Sequence, residues 1–151
     1  MKRLTHASTG FSIGFLVARL WGGNLSLIAY PTLGLLGGVF PDFDLKSGHR
    51  VFLHNLLSSV VVTMGLYTVL AWSGLATVVS AVGSACFLAG WLSHLLLDSL
   101  TVRGVALLYP FDRRMRGLRL VKSGDWRGEA LAWLISLGLI YLGVVVGSHS
   151  P

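Results

Sequence analysis

The sequence predicts an all-α fold, an integral membrane bundle of about five helices. Three observations carry this expectation. Of the 151 residues, 54% are hydrophobic and only 12% are charged, about half the charge of an ordinary soluble domain. Long apolar stretches are separated by short breaks rich in Gly, Pro and polar residues. Charges and histidines fall at alternate breaks, which a zigzag through a bilayer brings to one side. One domain over residues 1–151 accounts for the length.

The first helix is expected over Thr5 to Trp21. Its start has the look of a signal peptide, Lys2-Arg3 before an apolar run. Arg19 interrupts that run and no small-residue cleavage site follows, so a retained helix is expected. Gly22-Gly23-Asn24 reads as a turn. A second helix, Leu25 to Phe40, stops before Pro41, which disfavours helical geometry in the residue preceding it; Pro31 is a candidate kink. Asp42 to Gly48 reads as a polar loop. A third helix is expected over His49 to Trp72, a turn at Ser73-Gly74, and a fourth helix over Leu75 to Leu100. A basic segment follows, Thr101 to Gly128, and then a fifth helix over Glu129 to Gly147. The last three helices approach or exceed the roughly 20 residues that span hydrocarbon. The first two are shorter and fit either a short spanning pair or a re-entrant hairpin. Gly10-x3-Gly14 and Gly34, Gly37 and Gly38 supply small faces where helices approach closely.

With the N-terminus cytoplasmic, this zigzag puts every Lys and Arg but Arg19 on the cytoplasmic side, so the C-terminus is expected outside an inner membrane. The net charge of +6 then matches topology signals and anionic headgroups, not a specific nucleic acid. The lone Cys86 lies in an apolar stretch and is expected to pack there, with no disulfide framework. Oligomeric state is left open.

The same zigzag gathers His6, Asp42, Asp44, His49, His54, His94, Asp98 and Glu129 at one membrane face. His94 and Asp98 stand four apart, on one face of one helix and one turn apart. Each residue alone has a plainer role. Histidines near helix ends are commonly interfacial, Asp42 and Asp44 suit capping, and Glu129 at a helix start suits the dipole. His94 and Asp98 are harder to set aside, because ionisable groups at the end of an apolar helix are costly. Together the set is a ligand inventory for two or three divalent ions, zinc before manganese.

Pro41-Asp42-Phe43-Asp44, His49-Arg50-x3-His54 and Gly90-Trp91-Leu92-Ser93-His94-x3-Asp98 stand in a recognisable order. Thr5-His6 lies upstream, and Leu100-Thr101, Gly104, Leu107-Leu108-Tyr109-Pro110 and Glu129 lie downstream. The pattern resembles the YdjM-like family of LexA-regulated, inner-membrane, metal-dependent hydrolases over about residues 5 to 130. That family is in turn distantly similar to zinc-dependent phospholipase C and the fungal single-strand zinc nucleases, helical enzymes that cleave phosphoester bonds with three zinc ions. The resemblance implies as ligands His6, Asp42 or Asp44, His49 or His54, His94, Asp98 and Glu129. Val51-Phe52-Leu53 depart from the small and hydroxyl residues usual at that place, and the later Glu lacks its neighbouring histidine.

The expected activity is phospholipase C-like cleavage of a phosphoester in a lipid or lipid-linked substrate at the cytoplasmic interface. Asp44 and Asp98 are the expected catalytic carboxylates, and Arg50 is expected to stabilise phosphoryl charge. Membrane lipids and the substrate are the expected partners. A non-enzymatic membrane regulator or scaffold with a structural metal is the alternative. A transporter is disfavoured, because its ligands belong near the midplane.

Overall fold

The computed structural model describes residues 1–21, 26–43 and 51–148. Within them the fold is all-α. Five helices are present: α1 (Arg3–Trp21), α2 (Ser26–Val39), α3 (Leu56–Trp72), α4 (Thr77–Ser99) and α5 (Trp126–Ser148), with a 3-10 turn at Phe40–Phe43 and no strand. Two of them, α4 and α5, are long and apolar enough to cross a membrane, and α3 is a shorter apolar helix.

The start of the third helix corrects the sequence reading. It begins at Leu56, not His49, and residues 51–55 form a turn followed by bends. Asn55 decides this. Its Oδ1 accepts the Ser58 N–H at 2.8 Å, while its Nδ2 donates to the carbonyls of Val51 and Phe52 at 2.9 and 2.6 Å. A cap that satisfies backbone groups on both sides outweighs the apolar character of Val51-Phe52-Leu53. The helix is left with 17 residues, short of the roughly 20 that span hydrocarbon. The last helix starts three residues earlier than expected, where Asp125 Oδ1 accepts the Arg127 N–H. The second helix runs through Pro31 and gives way to the 3-10 turn that contains Pro41.

The centre of the bundle is α1, α2 and α4; α3 packs on α4, and α5 packs on α1. The glycines set how close these helices come. A Cβ at Gly10 would overlap the Gly34 carbonyl, one at Gly90 the same carbonyl from the other side, and one at Gly37 the Phe87 carbonyl. Such backbone-to-backbone approach is what associates helices in lipid, where apolar side chains gain nothing by leaving the solvent. Cys86 packs with Ala18 and Tyr30, and Phe87, Trp91 and Leu95 form a second cluster with Phe40 and Leu107.

Residues 101–125 are not helical. Isolated bridges Thr101–Val121 and Val105–Arg116 fold them back on themselves. Asp112 accepts the Arg114 N–H and pairs with the Arg116 guanidinium at 2.6 Å; these two contacts hold its carboxyl below the usual carboxylate range.

Two sets of contacts orient the bundle. At one end the guanidinium of Arg19 lies against Gly147. At the other, the Lys2 N–H donates to Glu129 Oε1 and Arg3 meets Asp42. Hence α1 and α5 run side by side in the same direction. The starts of α1 and α5 and the end of α4 share one end of the molecule with the 3-10 turn.

Candidate metal centre

Five of the eight expected ligands converge. His6, His94 and Asp98 form one group and Asp42, His54 and His94 another, with ligand atoms within 4.8 Å of one another in each. His6 comes from α1, Asp42 from the 3-10 turn, His54 from the bends before α3, and His94 and Asp98 from the last two turns of α4. All three imidazoles and Asp98 are buried, while Asp42 is partly open.

His94 is the pivot. Its Nδ1 lies 2.7 Å from the Gly38 carbonyl oxygen, its Nε2 3.2 Å from His54 Nε2, 3.7 Å from Asp98 Oδ2 and 3.8 Å from Asp42 Oδ1. A carbonyl only accepts, so the Nδ1 carries the proton and donates to Gly38. A neutral ring then turns its Nε2 lone pair toward the carboxylates. This is the arrangement in which a backbone carbonyl fixes the tautomer of a metal-binding histidine. The His6 ring stacks on His94 with centroids 3.7 Å apart, and His6 Nε2 is 3.5 Å from Asp98 Oδ1. Asp98 therefore presents one oxygen to His6 and the other to His94 and, at 3.9 Å, His54.

Three imidazoles and two carboxylates aimed at one buried space fit a divalent ion of the zinc or manganese class. His6 Nδ1 makes no hydrogen bond among the described residues, which leaves that ring held by stacking and by Asp98. The Met1 ammonium also reaches Asp98 Oδ1, at 2.9 Å.

The supports of the centre were not all foreseen. Trp91, fully buried, donates its Nε1–H to the Leu53 carbonyl at 3.0 Å and so fastens the chain beside His54 to α4. The Leu56 N–H donates to the Leu107 carbonyl. The sequence marks Gly38 as a packing residue, and in the fold its carbonyl also faces His94 Nδ1. A side chain there would overlap the His6 carbonyl. Arg3 Nη2 donates to the Asp42 carbonyl at 3.1 Å and its Nε lies 3.7 Å from Asp42 Oδ2. In sequence Arg3 was one of many topology charges. Asn55 had a findable signal, an Asn three residues before a serine at the head of an apolar run.

Glu129 belongs to neither group. It accepts the Lys2 N–H and the Thr5 hydroxyl, and so ties α5 to the start of α1. Asp44, His49 and Arg50 lie outside the described residues.

The model of the YdjM inner membrane protein family matches residues 1–150. The chain belongs to the YdjM family. The "uncharacterized protein YvsG" of Bacillus subtilis (strain 168) is similar to it, with 30% identity over 159 residues and 93% of each chain covered. No solved structure matches. Membership of the YdjM inner membrane protein family agrees with the two long apolar helices α4 and α5.

Proposed function

We propose that this YdjM-family protein is a membrane-bound, metal-dependent hydrolase. In this reading it cleaves a phosphoester of a lipid or lipid-linked substrate at the cytoplasmic interface, in the manner of phospholipase C. The observation that carries the reading is the His94 junction, where a tautomer fixed by Gly38 aims one lone pair into a space shared with two carboxylates. His6, Asp42, His54, His94 and Asp98 would hold the ion or ions, zinc before manganese. Asp98 is the carboxylate suited to serve two of them, because its oxygens face different histidines. A divalent ion bound there supplies a Lewis acid and brings the pKa of a coordinated water toward neutrality. Arg3 sits at the open side with its side chain more than half exposed. Its donors not used by Asp42 would hold phosphoryl oxygens in this reading, the role also proposed for Arg50. Asp44 and Asp98 are the catalytic carboxylates of this reading.

Burial favours a second reading. His54 and His94 are fully enclosed, as suits a structural ion in a scaffold or regulator. Asp98→Asn separates the two. For a hydrolase, it should abolish turnover on a panel of phospholipids and phosphodiesters while helix content is kept. If the wild-type protein carries stoichiometric metal and cleaves nothing on a broad panel, the structural reading stands. Purified protein that neither holds nor regains zinc or manganese sinks both.

The proposed placement is multi-pass, with the N-terminus cytoplasmic and the C-terminus outside. Cysteines placed at Lys2 and Ser148 should label from opposite sides; labelling of both from one side overturns it. Control by LexA, which the family resemblance implies, belongs to the same proposal.

A further inference from the structure

The described residues also form a concave feature lined by none of the histidines. Between the head of α3 and residues 107–111 runs an apolar groove of about 300 Å³, lined by Leu57, Val60, Leu107, Leu108 and Phe111 with Tyr109 at its rim. The groove is built, not incidental. The Leu56 N–H is hydrogen-bonded to the Leu107 carbonyl at 3.0 Å, and the Phe52 ring meets Tyr109 edge-on at 5.6 Å. The Arg113 guanidinium lies over the Tyr109 ring, 5.8 Å from its centre. An apolar slot thus ends at an aromatic residue that carries a cation.

Charge selects the occupant. Between Thr101 and Arg127 stand seven cations and two carboxylates. Asp112 is committed to Arg116 and to the Arg114 N–H, and Asp125 accepts the Arg127 N–H. The excess positive charge lies beside a slot that suits hydrocarbon. Phe111, 86% exposed, stands among these cations, as at a surface that meets lipid headgroups.

We propose that this groove binds one anionic phospholipid, with an acyl chain along Leu57 and Val60 and the headgroup phosphate on Arg113. Its role as the dock of the substrate rests on the hydrolase reading; its occupancy does not. The wall of the groove begins at Leu56, two residues after His54 in the chain, so the two sites share one connecting segment.

The test is native mass spectrometry of the full-length protein released from detergent and titrated with phosphatidylglycerol or phosphatidylcholine of matched chains. Wild type should retain one phosphatidylglycerol, about fivefold tighter than phosphatidylcholine, the factor that one basic residue contributes near an anionic surface. Val60→Trp fills the slot and should weaken both lipids. Arg113→Gln should bring phosphatidylglycerol down to the level of phosphatidylcholine. Leu134→Trp, on the outward face of α5, should change neither and serves as the control for folding. No preference in wild type, or wild-type retention in Val60→Trp, overturns the proposal. If the groove binds as described and no lipid is cleaved, the site stands and the hydrolase reading fails. If lipid cleavage is unaffected by Val60→Trp, the groove is not the substrate's dock.

Discussion

Helices α4 and α5 are each 23 residues long and each apolar enough to cross a membrane, yet one is the axis of the bundle and the other its flank. The first buries eleven residues and packs on α1, α2 and α3; the second buries five and packs on α1. Length does not separate them, and apolar character does so in the sense opposite to a water-soluble core, since the outer α5 is the more apolar of the two. Small residues line both contact faces, but they meet different things: Gly90 of α4 lies against the Gly34 backbone, whereas Gly143 of α5 lies against the Phe15 side chain. The last turns of α4 also bury His94 together with Asp98. Most of the large apolar side chains of α5, Leu131, Leu134 and Leu137 among them, point outward. In lipid an apolar side chain has no reason to prefer protein, so close backbone approach and polar contacts choose which helix goes inside.

The sharpest way to break this comparison is at the ligands. His94→Ala should lower metal affinity by at least about a hundredfold, since loss of a supporting partner alone costs about 10–100-fold. Leu134→Ala should leave metal content unchanged. Elemental analysis of both purified proteins reads this directly, and equal metal content would remove His94 from the centre.

Next in size is a pair of identical substitutions. Gly38→Ala forces a methyl group into the His6 carbonyl, which should cost about 1–3 kcal/mol and reduce metal affinity about 10–100-fold. On α5, Gly138 has open space around it, and Gly138→Ala should stabilise by about 0.5–1 kcal/mol through helix propensity. Thermal melts in detergent should move in opposite directions. Gly38 lies on α2 in the centre of the bundle, so shifts of the same sign would show that glycine packing does not distinguish that centre from the α5 flank.

The smallest expected effect lies on the α1–α5 seam. Ser136 Oγ is 3.2 Å from Thr9 Oγ1, and Ser136→Ala should cost about 0.6 kcal/mol, the average for such contacts between membrane helices. A loss several times larger would mean that α5 is held by polar contacts as firmly as α4 is by close packing.

Much of this arrangement was readable in the chain. The i, i+4 spacing of His94 and Asp98 needs only a helix, and the alternation of charged and uncharged breaks needs only short connections, so the gathering of His6, Asp42, His54, His94 and Asp98 followed from topology. The glycine faces were readable because small residues at helical spacing have few other uses in lipid. Other features were hidden for a common reason: they depend on backbone groups. The Gly38 carbonyl that orients His94 has no side-chain signature. The start of α3 turned on the hydrogen bonds of one asparagine against an apolar run that reads as helix. Glu129 was placed at the right end of the bundle, but its hydrogen bonds to the Lys2 N–H and Thr5 could not be told from ligation by spacing.

Both candidate ligand groups contain His94, and this has a consequence for biosynthesis. His6, Asp42 and His54 leave the ribosome well before α4 does, and none of the groups can close without it. On the proposed metal-site reading, the early segments would be made before their partners on α4 exist, and metal capture would wait for that helix. α5 supplies no member of either group, so a nascent chain arrested after residue 125 already holds every described ligand. Release of increasing lengths of chain in the presence of radioactive zinc should show uptake switching on between the ends of α3 and α4, with little further gain once α5 has emerged.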